Sequence, residues 1–286
     1  MTNYNLNCLV CGHNVFTGSY KFRGTTLRYQ KDYFEYSHCQ SCGSLNNITL
    51  CRPDYEGYKT GSSISKLKVN RVVKFLKQCG ISKKDTILDY GCGNGALIKA
   101  LIKSGFKKVR GYEPYNKNYK NTLIESEGIK FKVVCLTHVF EHIPDYSIFF
   151  QQLEKISEPG TKIITIHPSA SRMLPVKINN PFHIFSVHAP FHSVIPSDKS
   201  VINLFSQHEF ELKKIRRYDI QRSGFKDNSR VNALLARNLG GIKENWLNAP
   251  LSKKLSALIK SPLSFVDCMF IRNRDYLTST LVFEKS

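Results

Sequence analysis

Acidic residues, tryptophan and long apolar runs are scarce in this sequence. Its 286 residues hold 22 Asp and Glu against 42 Lys and Arg, which gives a formal net charge of +20, and one tryptophan. Such an excess of positive charge favours an anionic partner through long-range steering, although the solvated lysines of a generally basic proteome would give the same count. No apolar run approaches the roughly 20 residues that a membrane helix needs. We therefore expect no membrane span.

The N-terminus also lacks the features of a secretory signal. Its first residues, MTNYNLNCLVCG, contain neither a basic segment nor an apolar stretch of signal length. The nine cysteines are an odd number, which agrees with a reducing compartment where cysteines are thiols or metal ligands. We expect a cytoplasmic protein, and its apolar content of 41% is ample for a packed core.

The most informative stretch is 87–95, with the sequence ILDYGCGNG. It is typical of a short apolar strand that runs into a glycine loop, and a helix is predicted to follow at Ala96–Lys103. The acid Glu113 comes about 20 residues after the loop, at the end of a second short strand. This order of strand, glycine loop, helix and acid is the nucleotide-binding pattern of doubly wound α/β folds.

The identity of the nucleotide ligand depends on an acidic side chain. Gly91, Gly93 and Ala96 formally satisfy the dinucleotide fingerprint. Asp89 disfavours a dinucleotide, because a carboxylate two residues before the first glycine would repel a pyrophosphate and attract an ammonium group instead. S-adenosyl-L-methionine carries such an ammonium, a sulfonium and a ribose diol, and it has no phosphate. Glu113 would accept hydrogen bonds from the two ribose hydroxyls.

On these residues the chain resembles the class I S-adenosylmethionine-dependent methyltransferases. Their first motif is similar to LDYGCGNG and their acidic second motif is similar to GYEPY. The resemblance implies a Rossmann-like, doubly wound α/β sheet with an antiparallel last strand, here at Leu277–Phe283. A glycine turn in an unrelated α/β protein is the alternative. The residues that the resemblance assigns to donor binding are Asp89, Gly91, Cys92, Gly93, Gly95, Glu113, Pro114, Thr137, His138 and Val139.

A further part of the resemblance is a fourth motif, Glu141-His142-x-x-Asp145, which follows a strand that ends at Thr137. In several sugar C-methyltransferases with a cysteine-rich N-terminal module, the corresponding Glu-His pair lies close to the chemistry. The resemblance therefore implies a role for this pair, and stabilisation of the loop is the alternative. A polar helix is expected at about 117–127. The third strand of the fold and its loop, which usually contact adenine in this class, are very short or missing.

Histidines are concentrated after the predicted fifth strand. The segment 168–197 contains His183, His188 and His192, and in this class the loop after the fifth strand forms much of the acceptor pocket. Histidine suits proton removal near neutral pH because its ordinary pKa is about 6.5. For each histidine, a packing or backbone-bonding role is the alternative. The catalytic candidates are Glu141, His142, His183 and His192.

The first 52 residues carry two cysteine pairs in the sequences CLVC and CQSC. Each pair can form a tight knuckle that presents two thiolates, and two knuckles complete a tetrahedral zinc site. A redox-active disulfide would need only one pair, so structural zinc in a zinc-ribbon-like module is the prediction. The predicted zinc ligands are Cys8, Cys11, Cys39 and Cys42. Alternative ligands are His13, His38 and Cys51.

The predicted organisation is a zinc-binding module at 1–52, a linker or flap at 53–68, and a methyltransferase domain at 69–286 with a helical insertion at about 218–262. A four-cysteine module ahead of this core resembles bacterial enzymes that modify sugars, often nucleotide-linked ones, in antibiotic or surface-polysaccharide pathways. The resemblance implies methyl transfer to the oxygen, nitrogen or carbon of a small, phosphate-bearing acceptor. An RNA methyltransferase and a non-catalytic, zinc-bearing binding module are the alternatives. The sequence does not indicate an oligomeric state.

Overall fold

The structure is a computed structural model that describes residues 7–49, 66–125, 127–178, 181–216 and 277–286, with single positions at 53, 250, 252, 256 and 259. The predicted linker and the predicted helical insertion lie almost entirely outside the described residues, as do Cys51 and Trp246.

The described residues form ten strands and six α-helices. The strands are β1 (Phe16–Arg23), β2 (Tyr33–Cys39), β3 (Leu45–Asn47), β4 (Thr86–Tyr90), β5 (Lys108–Tyr112), β6 (Val133–Thr137), β7 (Lys162–Pro168), β8 (Val194–Ile195), β9 (Phe210–Arg216) and β10 (Thr278–Lys285). The helices are α1 (Lys66–Gln78), α2 (Ala96–Lys103), α3 (Thr122–Glu125), α4 (Tyr146–Ile156), α5 (Pro181–Val187) and α6 (Asp198–Ser206). None of the helices that the structure describes is long and apolar enough to cross a membrane.

Six strands form a mixed sheet in the order β5-β4-β6-β7-β10-β9. Strand β4 pairs in parallel with β5 and β6, and β6 pairs in parallel with β7. Strand β10 runs antiparallel to β9. Strands β4, β6 and β7 are nearly continuous apolar runs because helices cover both faces of such a sheet. The predicted doubly wound α/β sheet with an antiparallel last strand is therefore confirmed.

The mixed sheet ends at β5 within the described part of the chain. Turns and the single-turn helix α3 connect β5 to β6, so the described residues between these strands contain no third strand, as expected. The polar helix expected at about 117–127 is shorter in the structure: residues 117–121 form turns, and of the described residues in this range only Thr122–Glu125 are helical. The physical reason is a set of side-chain bonds to the glycine loop, which are described below.

The core beside β4 fixes the position of the loop that follows it. Val69, Val72, Val73 and Leu76 recur on one face of α1 and are buried in a cluster that includes Ile87 of β4. Burial of each such side chain stabilises the fold by about 1.5–3 kcal/mol relative to leaving it exposed. The carboxyl end of β4 is therefore anchored by well-packed apolar side chains.

A second, smaller sheet has the order β1-β2-β3-β8. Its neighbouring strands are antiparallel, and Leu45 of β3 pairs with Ile195 of β8. The chain divides into two compact units, and this sheet belongs to the unit that groups the described residues 7–49 with 168–200. The other unit contains the mixed sheet. The predicted boundaries at residues 52 and 68 stay predictions.

Candidate functional site

The glycine loop lies at the carboxyl end of β4, which is the edge where open parallel sheets bind ligands. Gly95 caps the N-terminus of α2 with φ 76°. A Cβ atom on Gly95 would lie 2.4 Å from the Tyr119 hydroxyl oxygen, and one on Gly91 would lie 2.3 Å from Cγ2 of Val139. Both positions need glycine for the left-handed backbone and for the close approach of a neighbouring side chain. The side chains of Tyr119 and Val139 can therefore pack directly on the backbone of the loop.

Asp89 is the buried acid of this site, with 3% of its surface exposed near the end of β4. Burial, and then the negative charge of Glu113, raise the pKa of Asp89 to about 7. A carboxyl group in such surroundings is stabilised in its ionised form by a nearby cation. The chemistry of the position therefore fits an ammonium group and opposes a phosphate.

Glu113 follows β5 and holds the middle of the glycine loop. Its Oε2 accepts a hydrogen bond from the backbone N–H of Gly93 at 3.1 Å, and its Oε1 accepts one from that of Tyr115 at 3.3 Å. The side-chain amide of Asn116 donates to the carbonyl oxygen of Gly93 at 2.8 Å. Both backbone groups of Gly93 are therefore held by residues 113–116. Asn116 was not among the predicted site residues, because a single Asn ahead of the helix expected at about 117–127 gives no sequence signal.

Two of the predicted donor-binding residues, Cys92 and Pro114, have side chains in contrasting surroundings. The Cys92 sulfur packs where Gly111 leaves room, 2.7 Å from the position of a Cβ atom on that residue, and burial raises the pKa of the Cys92 thiol. Pro114 is exposed. Any contribution of Cys92 to donor binding would come from its backbone.

The end of β6 lies beside the end of β4, since Tyr90 pairs with Leu136. His138 adopts φ 55°, and its Nδ1 lies 3.2 Å from Oε1 of the fully buried Glu141. The backbone N–H of His142 donates to the carbonyl of Val139 at 2.9 Å. The Glu-His pair lies in a 3-10 helix at Phe140–His142, with the carboxylate buried and His142 half-buried. The structure thus brings predicted residues of the first, second and fourth motifs to one sheet edge.

The two other catalytic candidates lie in the unit of the smaller sheet. His183 is buried, its Nδ1 accepts a hydrogen bond from the backbone N–H of Lys177 at 3.2 Å, and burial, with the charge of Lys177, lowers its pKa to about 4. The Nδ1 of His192 lies 2.7 Å from the carbonyl oxygen of Ser186. A carbonyl can only accept, so Nδ1 of His192 carries the proton and Nε2 is the basic nitrogen of the neutral ring. His192 therefore has the tautomer that a general base needs.

The four predicted zinc ligands form one cluster, in which all four sulfur atoms lie within 4.8 Å of one another. The Cys8 and Cys42 sulfurs are 3.6 Å apart, and the Cys11 and Cys39 sulfurs are 3.5 Å apart. Sulfurs that share one zinc ion at about 2.3 Å are separated by about 3.8 Å in a tetrahedral shell, whereas a disulfide would bring them to about 2.05 Å. The distances fit four thiolates around a metal ion.

The cysteine cluster has polar neighbours that the sequence analysis did not identify. The buried Asn46 side chain donates to the Cys8 sulfur at 3.4 Å and accepts from the backbone N–H of Leu9 at 3.0 Å. The Cys42 sulfur lies 3.3 Å from the Ser44 hydroxyl oxygen, and this hydroxyl donates to that of Ser200 at 2.9 Å. These contacts connect the cluster to the N-terminal turn of α6 within the same unit. Such contacts orient metal ligands, but lone Asn and Ser residues give no sequence signal.

Comparison with known proteins decides the family. A family model described as a methyltransferase domain matches residues 65–214, just over half of the chain. The chain belongs to this methyltransferase family. The match spans β4, the glycine loop, β5 and the strand that ends at Thr137, which are the elements that carried the resemblance. The predicted enzyme class, a methyltransferase, is confirmed by this domain.

Individual relatives are more distant. The chain is 34% identical over 70 residues to the human protein named EEF1A lysine methyltransferase 2. The matched segment covers 23% of this chain and 30% of that protein. The chain therefore spans less than a third of the length of this curated relative. Among solved structures, coclaurine N-methyltransferase bound to N-methylheliamine and SAH is 14% identical, with a TM-score of 0.43 over 78% of this chain and 72% of that one.

A second solved structure is magnesium protoporphyrin IX methyltransferase from Synechocystis PCC 6803 with bound SAH. It is 12% identical, with a TM-score of 0.42, over 77% of this chain and 83% of that chain. Both structural similarities concern the general fold and give no information on the acceptor.

Proposed function

We propose that the protein transfers a methyl group from S-adenosyl-L-methionine to a small anionic acceptor, such as a sugar or a nucleotide-linked sugar. The single observation that carries the donor assignment is the buried Asp89 at the end of β4, whose pKa is raised to about 7 by burial and by Glu113. Such a carboxyl group recognises an ammonium and rejects a phosphate, which separates this donor from dinucleotides.

Each part of the site has a role in donor binding. Asp89 would hold the ammonium group. Each carboxylate oxygen of Glu113 accepts a backbone hydrogen bond, and because a carboxylate oxygen can accept more than one, Glu113 could also accept hydrogen bonds from the ribose hydroxyls. The bare backbone around Gly93 would allow close approach. Bound S-adenosyl-L-methionine would supply an electrophilic methyl group on a sulfonium centre. The protein's main contribution would be to align the acceptor with it, which can lower a barrier by roughly 7–11 kcal/mol.

Methyl transfer to oxygen or carbon also needs a base for the acceptor proton. His192 is the preferred base, since its Nδ1 is committed to the Ser186 carbonyl and its Nε2 is the basic nitrogen. His183 is less suited because its Nδ1 accepts a backbone hydrogen bond and its pKa is lowered to about 4. Glu141 and His142 would position the loop after β6 or take part in proton removal. A general base contributes a factor of about 10² to 10⁴.

The four cysteines would hold a zinc ion. Four sulfur ligands close the coordination shell, so the ion would stabilise the fold rather than activate a substrate. The sulfur separations of 3.5 Å and 3.6 Å support this assignment. The zinc site, the net charge of +20 and the resemblance to sugar-modifying enzymes together favour a phosphate-bearing sugar as the acceptor.

Two other acceptor classes are supported more weakly. The relative named EEF1A lysine methyltransferase 2 suggests a protein lysine, and the basic composition suggests RNA. A non-catalytic binding module is disfavoured by the intact pair Asp89 and Glu113.

An acceptor screen with methyl-labelled S-adenosyl-L-methionine tests the proposal. Zinc-replete protein is incubated with nucleotide-linked sugars, with RNA, or with lysine-rich proteins, and label in each acceptor is counted. We expect label in a nucleotide-linked sugar and none with the Asp89→Ala variant. Label confined to RNA or protein would refute the sugar assignment, and donor binding without transfer to any acceptor would favour the non-catalytic alternative.

A further inference from the structure

The turns that replace the third strand lie against the glycine loop. Residues 113–121, which we call the donor-side loop, are closed by backbone hydrogen bonds from Asn116 to Glu113 at 3.1 Å and from Tyr119 to Asn116 at 2.9 Å. The Asn116 side chain donates to the Gly93 carbonyl at 2.8 Å and accepts from the backbone N–H of Asn118 at 3.0 Å. These bonds give the donor-side loop one defined conformation over the glycine loop.

The conformation places the side chain of Tyr119 directly over Gly95. Its hydroxyl oxygen is 2.4 Å, and its Cζ atom 3.1 Å, from the position that a Cβ atom on Gly95 would take. The side chain is half-buried. Burial is the main cause that raises the pKa of Tyr119, and the acidic groups of Cys92 and Asp89 add to it. The hydroxyl therefore keeps its proton at neutral pH and can donate a hydrogen bond beside Asp89.

The donor would bring a second charged group to this part of the site. The ammonium group assigned to Asp89 is attached to the same carbon atom as a carboxylate. A buried carboxylate needs hydrogen-bond donors, and the ionised form of Asp89, which binds the ammonium, would repel it. The hydroxyl of Tyr119 is a neutral donor that lies against Gly95 of the glycine loop.

We propose that Tyr119 is a donor-binding residue whose hydroxyl donates a hydrogen bond to the amino-acid carboxylate of the methyl donor. This inference rests on the proposed function and deepens it. In this chain the donor-side loop supplies a wall of the donor site where the mixed sheet ends at β5. Asn116 is then a positioning residue, because it fixes the loop that carries Tyr119 against Gly93.

A purely structural role of Tyr119 makes a different prediction. If the ring only packs on Gly95, loss of the hydroxyl would affect all ligands of the site equally. If the hydroxyl binds the carboxylate, its loss would affect only ligands that contain the amino-acid part. S-adenosylhomocysteine contains that part, whereas 5′-methylthioadenosine has the same nucleoside and a thioether without it.

Calorimetric titration of the full chain with these two ligands tests the inference. The variant is Tyr119→Phe, which keeps the ring, and the matched control is Tyr115→Phe in the same loop, where the side chain is 69% exposed. A hydrogen bond to a charged group corresponds to about a 10- to 100-fold change in affinity. We expect Tyr119→Phe to weaken S-adenosylhomocysteine binding at least tenfold, to change 5′-methylthioadenosine binding less than twofold, and Tyr115→Phe to change neither.

The other outcomes overturn the inference in distinguishable ways. If the wild-type chain binds S-adenosylhomocysteine and Tyr119→Phe binds it equally well, the inference is wrong and the proposed function stands. Equal weakening of both ligands would assign Tyr119 a structural role only. If the folded wild-type chain binds neither ligand, the proposed function fails, and the inference fails with it.

Discussion

Donor affinity should depend on pH through Asp89. This carboxyl group is 3% exposed, and burial, with the charge of Glu113, raises its pKa to about 7. An ammonium ligand binds the ionised form, so the apparent affinity scales with the ionised fraction. That fraction is about 0.9 at pH 8, about 0.5 at pH 7 and about 0.1 at pH 6 for a pKa near 7. We therefore expect S-adenosylhomocysteine to bind about tenfold more weakly at pH 6 than at pH 8.

The weaker binding expected at low pH follows from the direction of the Asp89 pKa shift. An aspartate at its ordinary pKa of 3.8 would stay ionised throughout this range and would give a flat profile. A raised pKa moves the protonation step into the neutral range, where lowering the pH neutralises the carboxylate and removes its attraction for the ammonium. The loss should begin near pH 7 and approach a factor of about ten per pH unit below it.

Titration calorimetry at pH 6, 7 and 8 and constant ionic strength measures this effect. The ligand control is 5′-methylthioadenosine, which lacks the ammonium and should show a flat profile. Asp89→Asn should also be flat and weaker at pH 8, whereas Asp32→Asn, at an exposed position of the smaller sheet's unit, should behave as the wild type. A flat profile for the wild type, or an equal slope for both ligands, would show that Asp89 does not bind the ammonium.

Three further predictions concern single side chains. Asn46→Ala should weaken zinc binding about 10- to 100-fold in competition with a chromogenic chelator, because the Asn46 amide donates to the Cys8 sulfur at 3.4 Å; unchanged affinity would contradict this. Gly95→Ala should weaken S-adenosylhomocysteine binding at least tenfold in a folded protein, since the backbone there has φ 76° and the added Cβ, 2.4 Å from the Tyr119 hydroxyl, would displace that side chain; near-normal binding would contradict the close packing. Leu76→Ala should lower the free energy of unfolding in urea by about 2–5 kcal/mol, because Leu76 is fully buried. Replacement of Ile102, which is 57% exposed, by alanine should change this free energy by less than about 0.5 kcal/mol. Equal effects of the two replacements would contradict the core assignment.

Local sequence patterns were sufficient to predict the helix and strands around the glycine loop. Helix α2 has the predicted bounds Ala96–Lys103, because Gly95 supplies the left-handed cap and apolar residues recur at helical spacing. The strand that ends at Thr137 and the antiparallel last strand were also predicted correctly. These elements are determined by short-range periodicity and by turn chemistry, which a single sequence displays.

The donor-side loop could not be predicted in the same way. Its polar residues suit a helix, and nothing local indicates that Asn116 donates to Gly93, which lies 23 positions earlier. In the structure this tertiary hydrogen bond is formed, and the residues that follow it form turns instead of the expected helix. The role proposed for Tyr119 depends on the same long-range contact, so periodicity gave no sign of it.

In the unit that contains the four-cysteine cluster, long-range contacts were again not predicted. The spacing of the cysteine pairs predicted a four-sulfur cluster, because each knuckle is a local turn, and the structure has that cluster. The pairing of Leu45 with Ile195 joins segments about 150 residues apart. Strand β8 has two residues, which are too few to show a periodic pattern from which this pairing could be predicted. Zinc itself stays a prediction, as do the individual roles of the histidines.

Calorimetric titration of the zinc-replete wild-type chain with S-adenosylhomocysteine, beside Asp89→Ala, tests most directly whether the loop after β4 holds a methyl donor. We predict one binding site per chain in the wild type and at least a tenfold loss of affinity in the variant, with both proteins equally folded by circular dichroism. Absence of binding to the folded wild type, or undiminished binding to Asp89→Ala, would contradict the assignment of this loop as the donor site.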